Sequence, residues 1–225
     1  MGKIVLYNLE ASPPSNAVRT LCDMLAIDLE IKDLDFINLE HKSEEFMKIN
    51  PMGTVPAIRD EDFDLSESNA IMIYLLSKYG NKSQQESLYP SDVNTRAVIN
   101  QIMHFNTGVY FVRLKVIVLP AVFGDSPGPT QKMKDDVDLA YGVVESYLKG
   151  RKYIATDHMT LADLAAGTTT AAVAPLHKLE PERFPLTTEW LARLYEEPSF
   201  KKFITPCVQV LDQIVNTCWE RNKSK

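Results

Sequence analysis

The chain has 225 residues, 45% of them hydrophobic, and a formal net charge of −6. That length holds one large domain or two small ones, each with its own core. The acidic balance, with no basic run or patch, argues against nucleic acid as a partner. Cys22, Cys207 and Cys218 are an odd set without paired spacing and read as free thiols of a reducing cytosol. The first residues hold too short an apolar run for a signal peptide, and no later run is read as a membrane span of about 18–20 residues. Gly2 invites comparison with an acylation signal, but Leu6 stands where that pattern needs Ser or Thr.

In chain order, residues 3–7 predict a first strand. Pro13 and Pro14 open a helix, where a missing N–H costs little. Val18, Leu21, Cys22 and Leu25 give that helix one buried face. Residues 29–34 predict a second strand, 43–49 a short helix, 54–58 and 64–65 a hairpin, and 66–79 a helix. Residues 81–90 are polar and strand-free and read as a linker. Helical patterns follow over 94–123, with a bend or break at Pro120, and over 130–149, 187–195 and 199–219. Another helix opens at Thr160-Leu161-Ala162-Asp163, a capping box with Met159 and Leu164 placed as its staple. The expected fold is an α/β domain at 1–80 followed by an all-α domain at 91–225.

The chain is organised around 50–70. Val55-Pro56 sits where a short strand should begin. An X–Pro bond can be cis at a cost of only about 0.5–1 kcal/mol. A cis bond there would leave the Val55 backbone free to pair with an extended peptide. Glu67 and Ser68 open the next helix, whose unpaired N–H groups favour an anion. One wall that pairs like a strand, beside one that binds carboxylate and offers a negative side chain, suits a small zwitterionic peptide.

Together these residues resemble the cytosolic glutathione transferases over nearly the whole chain: a thioredoxin-like domain with a mixed four-stranded sheet, the proline before strand three, the Glu67-Ser68 pair and the Thr160-to-Asp163 box. The run Leu9-Glu10-Ala11-Ser12-Pro13-Pro14 is similar to the insect delta and epsilon classes. Leu88-Tyr89-Pro90, and His104-Phe105 followed by Gly108-Val109, look more like epsilon. The resemblance implies a cytoplasmic, homodimeric enzyme that uses glutathione as co-substrate. It would conjugate hydrophobic electrophiles such as xenobiotics, insecticides and lipid-peroxidation products, with peroxidase or dehydrochlorinase activity as accessories. Small-molecule substrates are the expected partners, with no nucleic acid or membrane. The alternative is a non-catalytic carrier of hydrophobic ligands on the same fold.

On its own, Ser12 reads more readily as a helix N-cap than as a catalytic group. The resemblance makes it the catalytic hydroxyl that holds the glutathione sulfur as thiolate. A free thiol is only about 3% ionised at pH 7, so a drop of about 2 pKa units makes thiolate the major form. Tyr7 is the competing hydroxyl, read here as a strand aromatic packed under the first helix. Ser12 and Ser15 stand where thioredoxin-like proteins carry paired cysteines, which removes dithiol chemistry. By resemblance Glu67 and Ser68 hold the γ-glutamyl end, where a capping pair is the plainer reading, and Asn69 follows where relatives often have Arg or His. His41 stands where relatives place a histidine near the glycyl carboxylate.

Gly53 is a departure. Relatives read Asn-Pro-Gln-His-Thr-Ile-Pro, whereas this chain has Met52-Gly53. A charge-assisted hydrogen bond, roughly 1.5–3 kcal/mol, is lost unless Lys42 or a backbone N–H replaces it. The backbone of Gly53, Thr54, Val55 and Pro56 still lines the site. The electrophile pocket is expected along Tyr110, Phe111, Leu114, Lys115 and Val118, with Phe123, Val208 and Leu211 behind them. Asp163 is expected to cap a helix and take no part in catalysis. His41, His104, His158 and His177 show no paired spacing with one another or with a cysteine, so no metal site is expected.

Overall fold

The computed structural model describes residues 3–225; Met1 and Gly2, and with them the acylation question, lie outside. The first half is a four-stranded sheet, β1 Ile4–Asn8, β2 Leu29–Asp33, β3 Ala57–Asp60 and β4 Phe63–Ser66, in the order β2-β1-β3-β4. β1 pairs parallel with β2 and antiparallel with β3, so the sheet is mixed, as expected. β2 is an edge strand, and its Glu30, Lys32 and Asp33 are exposed, charges that discourage further pairing.

Alternation along β1 sorts its side chains between two cores. Ile4 and Leu6 join the main core with Val18 and Leu21 of α1 (Pro13–Met24). Tyr7 belongs to a smaller cluster with Leu34, Phe46, Ile49 and Ala57. Its ring lies 5.3 Å from that of Phe46 on α2 (Glu44–Ile49). Tyr7 is therefore packed under α2, not under the first helix as the sequence suggested; adjacent Leu6 takes the α1 side.

α3 (Ser68–Tyr79) closes the α/β unit. The segment read as a linker contains a helix, α4 (Lys82–Leu88), started by Asn81 and Gln84 in a reciprocal capping box. The long helix expected over 94–123 is α5 (Val93–Phe105), a π-helical turn (Asn106–Tyr110) and α6 (Phe111–Phe123). The irregularity falls at the π turn, while Pro120 stays inside α6. Pro120 lies in the last turns, where its missing N–H frees only the carbonyl of exposed Val116.

α7 (Gln131–Leu148), α8 (Leu161–Val173), α9 (Pro185–Leu194) and α10 (Pro198–Lys223) complete the helical half. All thirteen residues of α8 are buried. It is rich in Ala and Thr, whose short side chains let neighbours approach, and the hydroxyls of Thr168, Thr169 and Thr170 donate back to Ala165 and Ala166 carbonyls. The capping box forms with both arms: Thr160 N–H donates to Asp163 Oδ2 at 2.8 Å, and the Thr160 side chain meets the third helical amide. Buried Asp163 also accepts from Ile154 N–H at 2.9 Å and Trp190 Nε1 at 2.8 Å.

Val93–Phe123 is long and apolar enough to cross a membrane by length and composition only, a test that core helices also pass. Its packing accounts for one apolar side: α5 meets α8, and α6 meets α7, α8 and α10. α1 also packs on α8 and α10, so those two helices hold both halves together.

Candidate active site

Ser12 is the N-cap of α1, with extended backbone (φ −93°, ψ 109°), and is 9% exposed. Its Oγ accepts from Ser15 N–H at 3.3 Å. That bond occupies a lone pair and leaves the hydroxyl proton free to donate. Pro13 and Pro14 occupy the first two helical positions and bring no N–H, so the helix end offers an anion fewer amides than most. The hydroxyl proton of Ser12 is thus the donor this helix start has to offer.

The Asn50-to-Pro56 loop is built by Asn50. This buried amide accepts from Met52 N–H at 3.1 Å through Oδ1 and donates through Nδ2 to Thr54 O at 2.6 Å. Its own carbonyl accepts from Gly53 N–H at 2.8 Å. Nothing in the chain pattern singled Asn50 out beyond the turn signal of Asn-Pro. The Val55-Pro56 bond is cis. β3 begins only at Ala57, paired with Tyr7, so Thr54 and Val55 lie ahead of the sheet ladder.

Gly53 has φ +58°, a left-handed conformation that favours glycine. A Cβ there would stand 2.6 Å from the His41 carbonyl and 2.9 Å from both Cδ and Nζ of Lys42. The Lys42 side chain therefore lies across Gly53, and its ammonium donates to the Met52 carbonyl at 3.0 Å. His41 is buried and stacked on Phe36 at 3.9 Å between ring centres. Its Nδ1 is buried without a partner. Burial, with neighbouring Lys42 adding to it, lowers the His41 pKa and so favours the neutral imidazole. The exposed cation at this corner is Lys42.

Glu67 precedes α3 with φ +70°, a strained value for a residue with a side chain. No side chain caps the first turn of α3, so its leading amides, including that of Ser68, remain open to an anion. Asn69 turns away. Its Nδ2 donates to Met103 O at 3.2 Å and Thr107 Oγ1 at 3.0 Å, and its Oδ1 is buried. Its amide donor is thus engaged by the helical half, while Oδ1 has no hydrogen-bond partner.

Along α6 the candidates divide. Tyr110 is fully buried, its hydroxyl 3.0 Å from Thr170 Oγ1, and burial raises its pKa. Leu114 is also in the core. With Ile117 and Ala121 they form the inner face of the helix. Phe111 and Val118 are half-buried and Lys115 is exposed, so these three form the open wall. Val112, Val116, Leu119 and Phe123 extend it as exposed apolar residues, an i, i+4, i+7, i+11 stripe that spacing could have revealed. A hollow of about 630 Å³ beside Glu86, Asn94, Arg151 and His158 shares no residue with this site. Among the described residues no group of three or more His, Cys, Asp or Glu is placed to hold a metal ion.

A mixed four-stranded sheet with its helices, followed by an all-helical half, is a two-domain architecture of thioredoxin-like type. Residues 2–77 match the family model of the glutathione S-transferase N-terminal domain, and residues 112–198 that of the C-terminal domain. Glutathione S-transferase 1 of Manduca sexta is 33% identical over 208 residues, spanning 90% of this chain and 93% of that protein. An epsilon-class glutathione S-transferase from the housefly, Musca domestica, superposes with a TM-score of 0.92 at 34% identity, over 96% of this chain and 98% of its own. A glutathione transferase homologue from Drosophila mojavensis, solved with bound glutathione, superposes at 0.91 with 32% identity, over 96% and 98% of the two chains. The chain belongs to the glutathione S-transferase family, among the insect delta and epsilon enzymes, and is a glutathione transferase.

Proposed function

We propose that this enzyme joins the glutathione thiolate to hydrophobic electrophiles, including xenobiotics and insecticides, in the cytoplasm and as a homodimer. Residues 1–80 form the tripeptide domain and 91–225 the electrophile domain. The observation that carries the reading is the Ser12 hydroxyl, fixed by Ser15 N–H with its own proton free. The glutathione thiol gives its proton to solvent, Ser12 donates to the sulfur, and the sulfur forms a bond to carbon as the leaving group departs with the electron pair.

The γ-glutamyl end lies at Glu67 and Ser68, with the carboxylate on the open amides of α3 and the ammonium against Glu67. The peptide backbone runs beside Thr54, Val55 and Pro56. At the glycyl end, His41 contributes a neutral ring, and Lys42, lying over Gly53, supplies the positive charge. Phe111, Lys115 and Val118 face the electrophile. The exposed face of α3 and the start of α5, where Val93 is 78% exposed, form the dimer surface.

The test is conjugation of glutathione to a chlorodinitrobenzene, followed by absorbance, with light scattering for the assembly. Turnover that falls roughly a hundredfold in Ser12→Ala supports the reading, by analogy with loss of one donor to a developing anion. Tight binding of an apolar probe by a protein without turnover favours a ligand carrier instead.

A further inference from the structure

The π turn at Asn106–Tyr110 sits directly before the electrophile wall. Within it Phe111 N–H donates to Asn106 O, five residues back. A turn of this kind carries one extra residue and rotates the downstream helix by about 100° relative to an uninterrupted α-helix. The rotation selects which side chains of α6 enter the core and which stay open. In the present register Leu114, Ile117 and Ala121 are buried, while Phe111, Lys115 and Val118 reach the open side.

Unpartnered polar atoms gather at this turn. Asn69 Oδ1, Asn106 Oδ1 and Arg113 Nε are buried without hydrogen bonds, a pattern that marks strained, functional segments. One side chain from the other half of the molecule reaches it. Asn69, the second residue of α3, donates to Met103 O and Thr107 Oγ1. Met103 O also accepts from Asn106 N–H, so the bond falls where the helix leaves α geometry. Asn69 directly follows Ser68 and the strained Glu67.

We propose that Asn69 is a positioning residue for the second substrate. It ties the helix that opens at the γ-glutamyl site to the π turn that sets the rotation of α6, so one amide fixes the electrophile wall relative to glutathione. The proposal rests on α6 being that wall. It assigns Asn69 no contact with either substrate. The amide orientation follows from Met103 O, a pure acceptor, which requires Nδ2 to face it.

The experiment is steady-state kinetics with glutathione and a chlorodinitrobenzene on wild type, Asn69→Ala, Thr107→Val, the double variant, Asn69→Gln and Phe111→Ala. Thr107 is exposed, so its replacement does not threaten folding. The expected result is a rise of about fivefold in the electrophile KM for Asn69→Ala, the scale of one lost hydrogen bond, with little change in the glutathione KM. The double variant should be no worse than Asn69→Ala, because both remove the same tie. Asn69→Gln, which keeps an amide donor, should recover part of the loss. Equal rises in both KM values would show a glutathione ligand and overturn the proposal, as would an unchanged electrophile KM or additive effects of the two single changes. Phe111→Ala separates the two levels. If it leaves the electrophile KM unchanged, α6 is not the wall and the proposal falls with that reading. If it raises that KM and Asn69→Ala does not, only the tie is wrong.

Discussion

The two halves of this enzyme prepare their substrates in different ways. The α/β half works with backbone, held in unusual conformations by short polar ties. Gly53 and Glu67 have positive φ, Asn50 braces the loop, and the first amides of α3 are left open. The helical half works with side chains on a packed frame. Its centre is the fully buried α8, and the wall proposed for the electrophile is the open face of α6, which follows one π turn. A changed residue in the first half should therefore alter glutathione binding with modest loss of stability. In the second half it should alter either folding or electrophile choice, according to the face on which it lies.

The largest effect expected is on the frame. Asp163→Ala strands the donors of Ile154, Thr160 and Trp190 in a dry interior. A loss of about 3–5 kcal/mol is expected in denaturant unfolding, the scale for breaking a buried charged network. A loss under about 1 kcal/mol would erase the contrast between the halves.

Next comes the glycyl corner. Gly53→Ala forces a Cβ against the His41 carbonyl and the Lys42 stem at positive φ. Backbone cost alone is about 1–2 kcal/mol. Displacement of Lys42 should raise the glutathione KM and leave the electrophile KM in place. Lys42→Met should raise the glutathione KM about tenfold. It should have far less effect with an analogue whose glycyl carboxylate is amidated; equal effects on both ligands would remove Lys42 from the site.

The smallest effect is electrostatic. Asp60, at the end of β3, is buried, which would push its carboxyl up. Bonds from Lys78, Tyr79 and Tyr74 outweigh burial and hold it below the usual range. A carboxylate depressed in the folded state adds stability above its unfolded pKa, about 3.9, and loses it as pH falls through the folded value. Wild type should thus lose stability more steeply than Asp60→Asn below about pH 4 when melting is followed against pH. Parallel curves would deny the network that role.

Patterns with a period or a cap were legible in the sequence. The face of α1 and the Thr160-to-Asp163 box were read from the residues, and the mixed sheet came with the family resemblance. Ser12, Glu67 and Ser68 were legible as helix starts, and the family resemblance supplied their chemistry. Other features turn on three-dimensional facts that period does not carry. Which way Tyr7 points depends on the register of β1, and one residue of difference reverses it. The extra residue of the π turn leaves no mark in composition, so period alone could not show that Tyr110 and Leu114 are buried while Lys115 is exposed. α4 is different: its Asn81-to-Gln84 capping box was present in the chain and outweighed by the polarity around it. That Lys42 lies in the space Gly53 leaves open depends on the fold of a loop alone.

The central claim is that Ser12 turns glutathione into a nucleophile. It is tested most directly by titrating the thiol of bound glutathione by its ultraviolet absorbance against pH, in wild type and in Ser12→Ala. The expected result is a wild-type thiol pKa about 2 units below the free value of about 8.5, returning most of the way in Ser12→Ala while glutathione still binds. A thiol equally depressed in both proteins would contradict the claim and move the activation to another group.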